Sequence, residues 1–515
     1  MKVRLLFLHP TPSPAFPARW PVSAALCLGS LCWGGPVQAQ SGARSNNISA
    51  TLDALATYAV NSRTGGRGDP DLVTELRPGL RWDGQSGRVV GSLSYELGLV
   101  QHSKDYTGER VQNRLNGQAS AEVFERWMYV DATASISQQA ASALGTQTVA
   151  GSTQDNANRI EVGTLSVSPY VRGVLGSAVN YEARLSASAT NGRRSITTDS
   201  SLMSGTFSLS SAIPGTALGW GLVGSRQISD YRAGRETEFD RISASLSYAA
   251  DADLTLALRG GQEATNVIDV TRVTNNTWGL GLTWRPSPRT RAQIDADDRY
   301  FGRGYRVLLE HRLPSTTFQL TSSRDDSNGS NGYGQGQQTT LYQLYFAQFA
   351  SIEPDQTQRD VLVRSFLQST NQDPNQIVPG GVANSAVSVQ ETHAISVAYA
   401  GRRIAASLQA NYGTNQVLGV SAAAAGDQNY RQRGYVANAS YRLTPTSSVA
   451  LTGSRLLSRS SATGIGTELK SLSLSFSDQI ARRTSLSASA RYSVFNSLTD
   501  PYRDAALTVS LSQRF

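Results

Sequence analysis

Large apolar side chains occupy every second position through most of this chain, and no other sequence feature constrains its fold as tightly. Trp278, Leu280, Leu282 and Trp284 alternate with Gly and Thr. Ile242, Ala244, Leu246 and Tyr248 alternate with Ser, as do Leu472, Leu474 and Phe476, while Leu486, Ala488, Ala490 and Tyr492 are spaced by Ser and Arg. Successive side chains of a strand point to opposite faces, so each segment reads as a strand with one apolar face and one small polar face. The segments run for about 10 to 13 residues, which suits a tilted membrane-crossing strand better than the roughly 5 to 6 of soluble sheets. Only 39% of the chain is apolar, too little for a soluble core of this length. No later stretch of about 18 apolar residues exists to cross a membrane as a helix.

The N-terminus is a separate unit. Lys2, Arg4 and Arg19 precede an apolar run from Val22 to Trp33, followed by Pro36-Val37-Gln38-Ala39. A basic region, a short apolar region and small residues at the peptidase positions make a secretory signal over 1–39, with cleavage after Ala39. Both cysteines, Cys27 and Cys32, fall inside it. Residues 40–515 therefore contain none, which excludes disulfides, thiol chemistry and Cys-ligated metals from them. Residues 40–47 form a short N-terminal extension, and 48–515 the body of the protein.

Within that body the rhythm predicts fifteen strands from 48–60 to 316–324 and seven more from 388–400 to 503–515. Brief polar turns join them in pairs: Asp251-Ala252-Asp253, Pro286-Ser287-Pro288-Arg289, Gly401-Arg402-Arg403, Thr444-Pro445-Thr446 and Ala481-Arg482-Arg483. Longer Gly/Asn/Ser/Asp-rich loops separate the pairs, among them 139–159, 189–200 and 414–431. Short turns on one side and long loops on the other are the asymmetry of an outer-membrane barrel. Tyr248, Trp284, Tyr399, Tyr441 and Phe476 each precede a short turn and predict a periplasmic aromatic girdle. The expected fold is all-β: a closed antiparallel transmembrane β-barrel of about 22 strands, 18–24 being the range the boundaries allow, with a partly helical insertion. A soluble β-sandwich or β-helix is the competing reading, and the lack of a repeat of about 20–50 residues disfavours the β-helix.

Two segments stand apart. Ala505, Leu507, Val509, Leu511 and Phe515 alternate to a terminal aromatic, similar to the signal that barrel-assembly machinery reads, with Gln513 departing from it. Residues 325–387 are too long for an ordinary loop. Within them Pro354-Asp355 opens a stretch with Val361, Leu362, Phe366 and Leu367 at helical spacing. That stretch serves either as a lumen plug or as a decoration on an outer loop, and 340–350 is an alternative strand pair.

Several stretches resemble a bacterial outer-membrane barrel family associated with the PEP-CTERM sorting system and exopolysaccharide loci. They are 126–139 (RWMYVDATASISQQ), Ser166-Val167-Ser168-Pro169-Tyr170, Trp284-Arg285-Pro286-Ser287-Pro288-Arg289-Thr290, Asp298-Arg299-Tyr300-Phe301-Gly302, Glu310-His311-Arg312 and Pro354-Asp355-Gln356-Thr357-Gln358-Arg359. The resemblance covers essentially the whole of 40–515. It implies a barrel in the outer membrane of a Gram-negative bacterium and a setting near polysaccharide export, and no catalytic residues; Sec-dependent export is expected from the signal over 1–39.

Chemistry is sparse. His102, His311 and His393 are the histidines outside the signal. A hydrolytic triad needs one of them beside a nucleophile and an acid, such as a serine with Asp295, Asp297 or Asp298, so no enzyme activity is expected. Arg67-Gly68-Asp69 reads as a turn rather than an adhesion tripeptide. The Asp325–Gly332 run lacks the terminal Glu of a calcium loop. No cofactor is expected. Of the formal +8 charge, three positive charges belong to the signal, leaving +5 for residues 40–515. Arg259, Arg291, Gln293, Asp295, Arg306, Glu310 and Arg491 fall on the polar phase and are the candidate lumen lining, a mixed field for cargo. The expected partners are outer-membrane lipid, lipopolysaccharide, barrel-assembly machinery and, as cargo, anionic polysaccharide with its export components; nucleic acid is not one. The expected function is a porin-like channel for exopolysaccharide, with a non-transporting structural or assembly protein and a membrane hydrolase as alternatives.

Overall fold

A computed structural model carries these residues into a single closed sheet. It describes residues 45–515 except 64–68, 104–110, 150–151, 153–155, 177, 194–198, 213–215, 233 and 420–427, and except 328–385, of which only Tyr342, Val363 and Leu367 are described. The signal region and the Arg67-Gly68 turn lie outside the described residues.

Twenty-two strands follow one another around the wall, in chain order β1 (Ser45–Arg63), β2 (Asp69–Gln85), β3 (Val89–His102), β4 (Val111–Phe124), β5 (Met128–Ala140), β6 (Arg159–Leu175), β7 (Val179–Arg193) and β8 (Ser200–Ala212). Next come β9 (Leu218–Tyr231), β10 (Thr237–Ala249), β11 (Leu254–Thr265), β12 (Val273–Ser287), β13 (Thr290–Arg299), β14 (Gly302–Arg312) and β15 (Thr316–Asp326). The last seven are β16 (Ser388–Ala400), β17 (Ile404–Val417), β18 (Tyr430–Arg442), β19 (Ser447–Ser460), β20 (Gly466–Ala481), β21 (Thr484–Asn496) and β22 (Tyr502–Arg514). Each strand pairs antiparallel with the next, and β22 pairs with β1 from Thr51↔Arg514 to Arg63↔Tyr502, which closes the ring. Closure removes every sheet edge, the condition for backbone to cross hydrocarbon.

The alternation decides which face looks where. Leu256 and Leu258 of β11, Leu280 of β12 and Leu507, Val509 and Leu511 of β22 are exposed on the outside. Their neighbours Ser245, Arg259, Asp295 and Ser510 turn inward. An exterior of this kind is stable only against lipid, since in water it would leave a continuous apolar surface exposed. The girdle residues Tyr248, Trp284, Tyr399, Tyr441 and Phe476 all lie exposed on that outer face. Phe515 is exposed as well, just beyond the end of β22.

Ten connections on one side are two to five residues long, whereas the other side ranges from the two residues between β13 and β14 to the sixty-one between β15 and β16. That places both ends of the sheet on the short-turn side. The strands extend a few residues beyond their sequence-based ends, mostly outward. Two expectations need correction. β5 starts at Met128, because Glu125-Arg126-Trp127 forms the turn, with Arg126 at φ 66°. Pro286 and Ser287 belong to β12, where a register shift between Trp284 and Ser287 absorbs the proline. Tyr342 is helical, and the rest of 340–350 lies outside the described residues. The insertion begins after Asp326, and its helical Val363 and Leu367, one turn apart, are fully buried.

Candidate functional site in the lumen

The inner wall is lined by paired charges. On β11 to β13, Arg291 donates to Gln293 (3.0 Å) and Gln293 to Asp295 (2.9 Å). Asp295 is bonded in turn by Arg259, which also reaches Asp297 at 3.2 Å. On β14, Arg306 stands opposite Asp295, and Glu310 opposite Arg291. Six of the seven candidate lining residues thus occupy one patch of wall. The seventh, Arg491, is across the barrel on β21 and holds the buried Asp504 of β22 at 2.9 Å. On the β2–β7 side Arg77 pairs with Glu75, Arg81 with Asp83, and Arg184 with both Asp131 and Glu182. Near the short-turn end Arg184 also lies 3.8 Å from the Tyr170 ring centre, and Tyr129 stacks on Tyr170.

Nearer the outer mouth the same β10–β15 wall carries a tighter cluster. Arg299, only 6% exposed, bridges Glu263 and Asp325 and approaches Asp326 at 3.8 Å. Arg241 joins Glu263 at 3.5 Å. Tyr300, in the two-residue turn between β13 and β14, donates to Asp326 at 2.7 Å. Burial and the neighbouring Asp326 push its phenol well above the ordinary value. That turn closes through Gly302 at φ +95°, a conformation L side chains rarely adopt. Asp325 and Asp326, the first two residues of the oxygen-rich run, are thus engaged by Arg299 and Tyr300; from residue 328 the run lies outside the described residues.

The described residues of the connection between β5 and β6 (141–149, 152 and 156–158) fold inward instead of rising as an outer loop. Val149 packs on Leu456, Leu469, Phe495 and Tyr502, all on the lumen phase of β19 to β22. Tyr502 Oη donates to the Gln147 carbonyl (2.7 Å), Thr146 to Asp500 (3.1 Å), and Ala143 packs on Tyr430 of β18. Asn158 ties the loop's base by donating to the carbonyls of Ser142 and Thr146. Counted around the ring, the loop runs from β5–β6 past β1 to β18–β22, opposite the charged β10–β15 wall. The sequence reading placed a constriction only in the 325–387 insertion and missed this one. Its signal was the apolar Ala143, Leu144 and Val149 within an otherwise polar loop.

The histidines separate. His102 Nδ1 meets Asp71 (2.7 Å) at the mouth, His311 meets Thr290 (2.9 Å) near the short-turn end, and His393 lies on the outer face between Ser322 and Glu391. Among the described residues no cluster of His, Cys, Asp and Glu could hold a metal ion.

The class this geometry defines is a closed 22-stranded membrane β-barrel with a polar, partly occluded lumen. No protein-family model matches the chain, and no curated protein matches it. Among solved structures it is similar to the FrpB iron transporter from Neisseria meningitidis, at 10% identity and TM-score 0.49, over 90% of this chain and 82% of that one. The siderophore receptor PirA from Pseudomonas aeruginosa gives 10% identity and 0.43, over 90% and 80%. OccK3 from the same organism gives 10% identity and 0.32, over 91% and 96%. At these values no property of those proteins passes to this chain.

Proposed function

We propose that the chain is a conduit in the outer membrane of a Gram-negative bacterium, passing hydrophilic solute through a lumen narrowed at its outer mouth. The observation that carries this is the inward-folded 141–158 loop, anchored on β18 to β22 opposite the charged β10–β15 wall. A purely structural barrel has no use for a hydrated lumen with an eyelet built across it. Hydroxyls, amides and guanidiniums in alternation suit the hydroxyls and carboxylates of an acidic polysaccharide. That cargo, and a link to PEP-CTERM-associated export, rest on the resemblance described above.

The test is planar-bilayer conductance of the purified barrel. Open-channel current that falls when acidic oligosaccharide is added supports the proposal. Val149→Asp, which introduces a charge into the apolar seat of the loop, should raise the conductance severalfold. A barrel that passes no current with or without that substitution overturns it.

A further inference from the structure

On the outward face of β14 to β16 four side chains form one directed chain. Tyr305 Oη donates to Glu391 Oε1 at 2.7 Å. His393 Nε2 lies 3.2 Å from the same oxygen, and its Nδ1 lies 2.8 Å from Ser322 Oγ. Sheet register sets this spacing: Ser322 pairs directly with His393, and Glu391 is two residues along the same strand and face. With the ring proton on Nε2, Ser322 donates to His393 and His393 donates to the carboxylate, the order of nucleophile, base and orienting acid. Tyr412 of β17 stacks on the imidazole, with ring centres 5.8 Å apart and planes at 20°, and so restrains its plane.

The chain sits at a chemical boundary. One step toward the short-turn side the same face continues as Leu320 and the exposed Ile395, part of the apolar band. One step outward come Arg324, opposite Glu391, and Arg303; on the far side of Tyr412 lies Arg433, its guanidinium 5.7 Å from that ring. Ionisable side chains on a lipid-facing surface cost stability rather than add to it, so stability does not account for the network. Cations beside the band match the phosphates of outer-leaflet lipids, whose acyl esters lie just beneath.

We propose that Ser322, His393 and Glu391 form an acyl-ester hydrolase site on the outer face of the barrel, acting on ester-linked acyl chains of outer-leaflet lipids. Ser322 Oγ attacks the ester carbonyl carbon and gives its proton to His393 Nδ1. The ester C–O bond breaks, and the departing alcohol takes that proton. Water then adds to the acyl-serine, again through His393, releasing the fatty acid and restoring Ser322. Glu391, held by Tyr305, balances the imidazolium formed in each half. The site faces away from the lumen and does not depend on the conduit reading.

The full-length barrel is reconstituted in glycerophospholipid vesicles, with and without lipopolysaccharide, then exposed to a fluorophosphonate probe and assayed for free fatty acid. The expected label is on Ser322, absent in Ser322→Ala and slowed about a thousandfold or more in His393→Ala. Release from phospholipid alone identifies a phospholipid ester; release only with lipopolysaccharide identifies an acylated glycolipid. Both variants should keep the compact electrophoretic mobility of the unheated barrel, because the side chains lie on its surface. No label above the Ser322→Ala level, or label without fatty-acid release from either vesicle, overturns the assignment.

Discussion

Arg299 is the cation shared by Glu263, Asp325 and Asp326, and Glu263 and Asp326 are closed to water. Removing the cation leaves buried carboxylates facing one another. Breaking such a network from one side costs about 3–5 kcal/mol. Arg299→Ala should therefore lower the barrel's unfolding free energy in urea by about that amount, whereas removing the exposed Arg126 should leave it unchanged; equal, small effects of both would contradict the cluster's role. At this scale the sequence is least informative. Nothing around Arg299 in the sequence signals the three carboxylates brought to it from β11 and β15. His393 could likewise be paired on paper with any of dozens of serines. Only the β15–β16 register selects Ser322.

Strands were the most legible elements. A period of two is a local property, and each strand keeps it whatever its partners are. Twenty-two segments were readable for that reason, and their outward and inward residues could be named in advance. The ends were less so, because polar residues above the lipid boundary no longer need to alternate. Pro286 read as a turn residue because proline usually leaves a strand, yet here it sits at an irregularity beside the turn. The inward path of 141–158 was invisible, since it depends on an apolar seat contributed by four strands distant in sequence. The phase itself makes a prediction at this scale. Leu280→Arg, in the middle of the apolar band, should cost about 2–4 kcal/mol of stability in a bilayer. Thr283→Arg, one strand face over, should fall within about 0.5 kcal/mol, as substitutions into open polar space do. A comparable penalty for both, read from urea unfolding in vesicles, would mean the faces are misassigned.

For the whole molecule, closure follows from the absence of any unpaired strand: β22 returns to β1 over thirteen residue pairs, and the even strand number returns the chain to the side where it began. The wet interior and the apolar exterior are then two views of the same alternation, and every functional statement above depends on it. Residues 40–515 have no native cysteine, so single cysteines can be placed one at a time along β10 and treated in bilayers with a membrane-impermeant maleimide. Ser243→Cys, Ser245→Cys and Ser247→Cys should label through the aqueous lumen, while Ile242→Cys, Ala244→Cys and Leu246→Cys should remain protected by lipid. Uniform labelling along the strand, or protection at the serine positions with labelling at their neighbours, would contradict a water-filled barrel built on this phase.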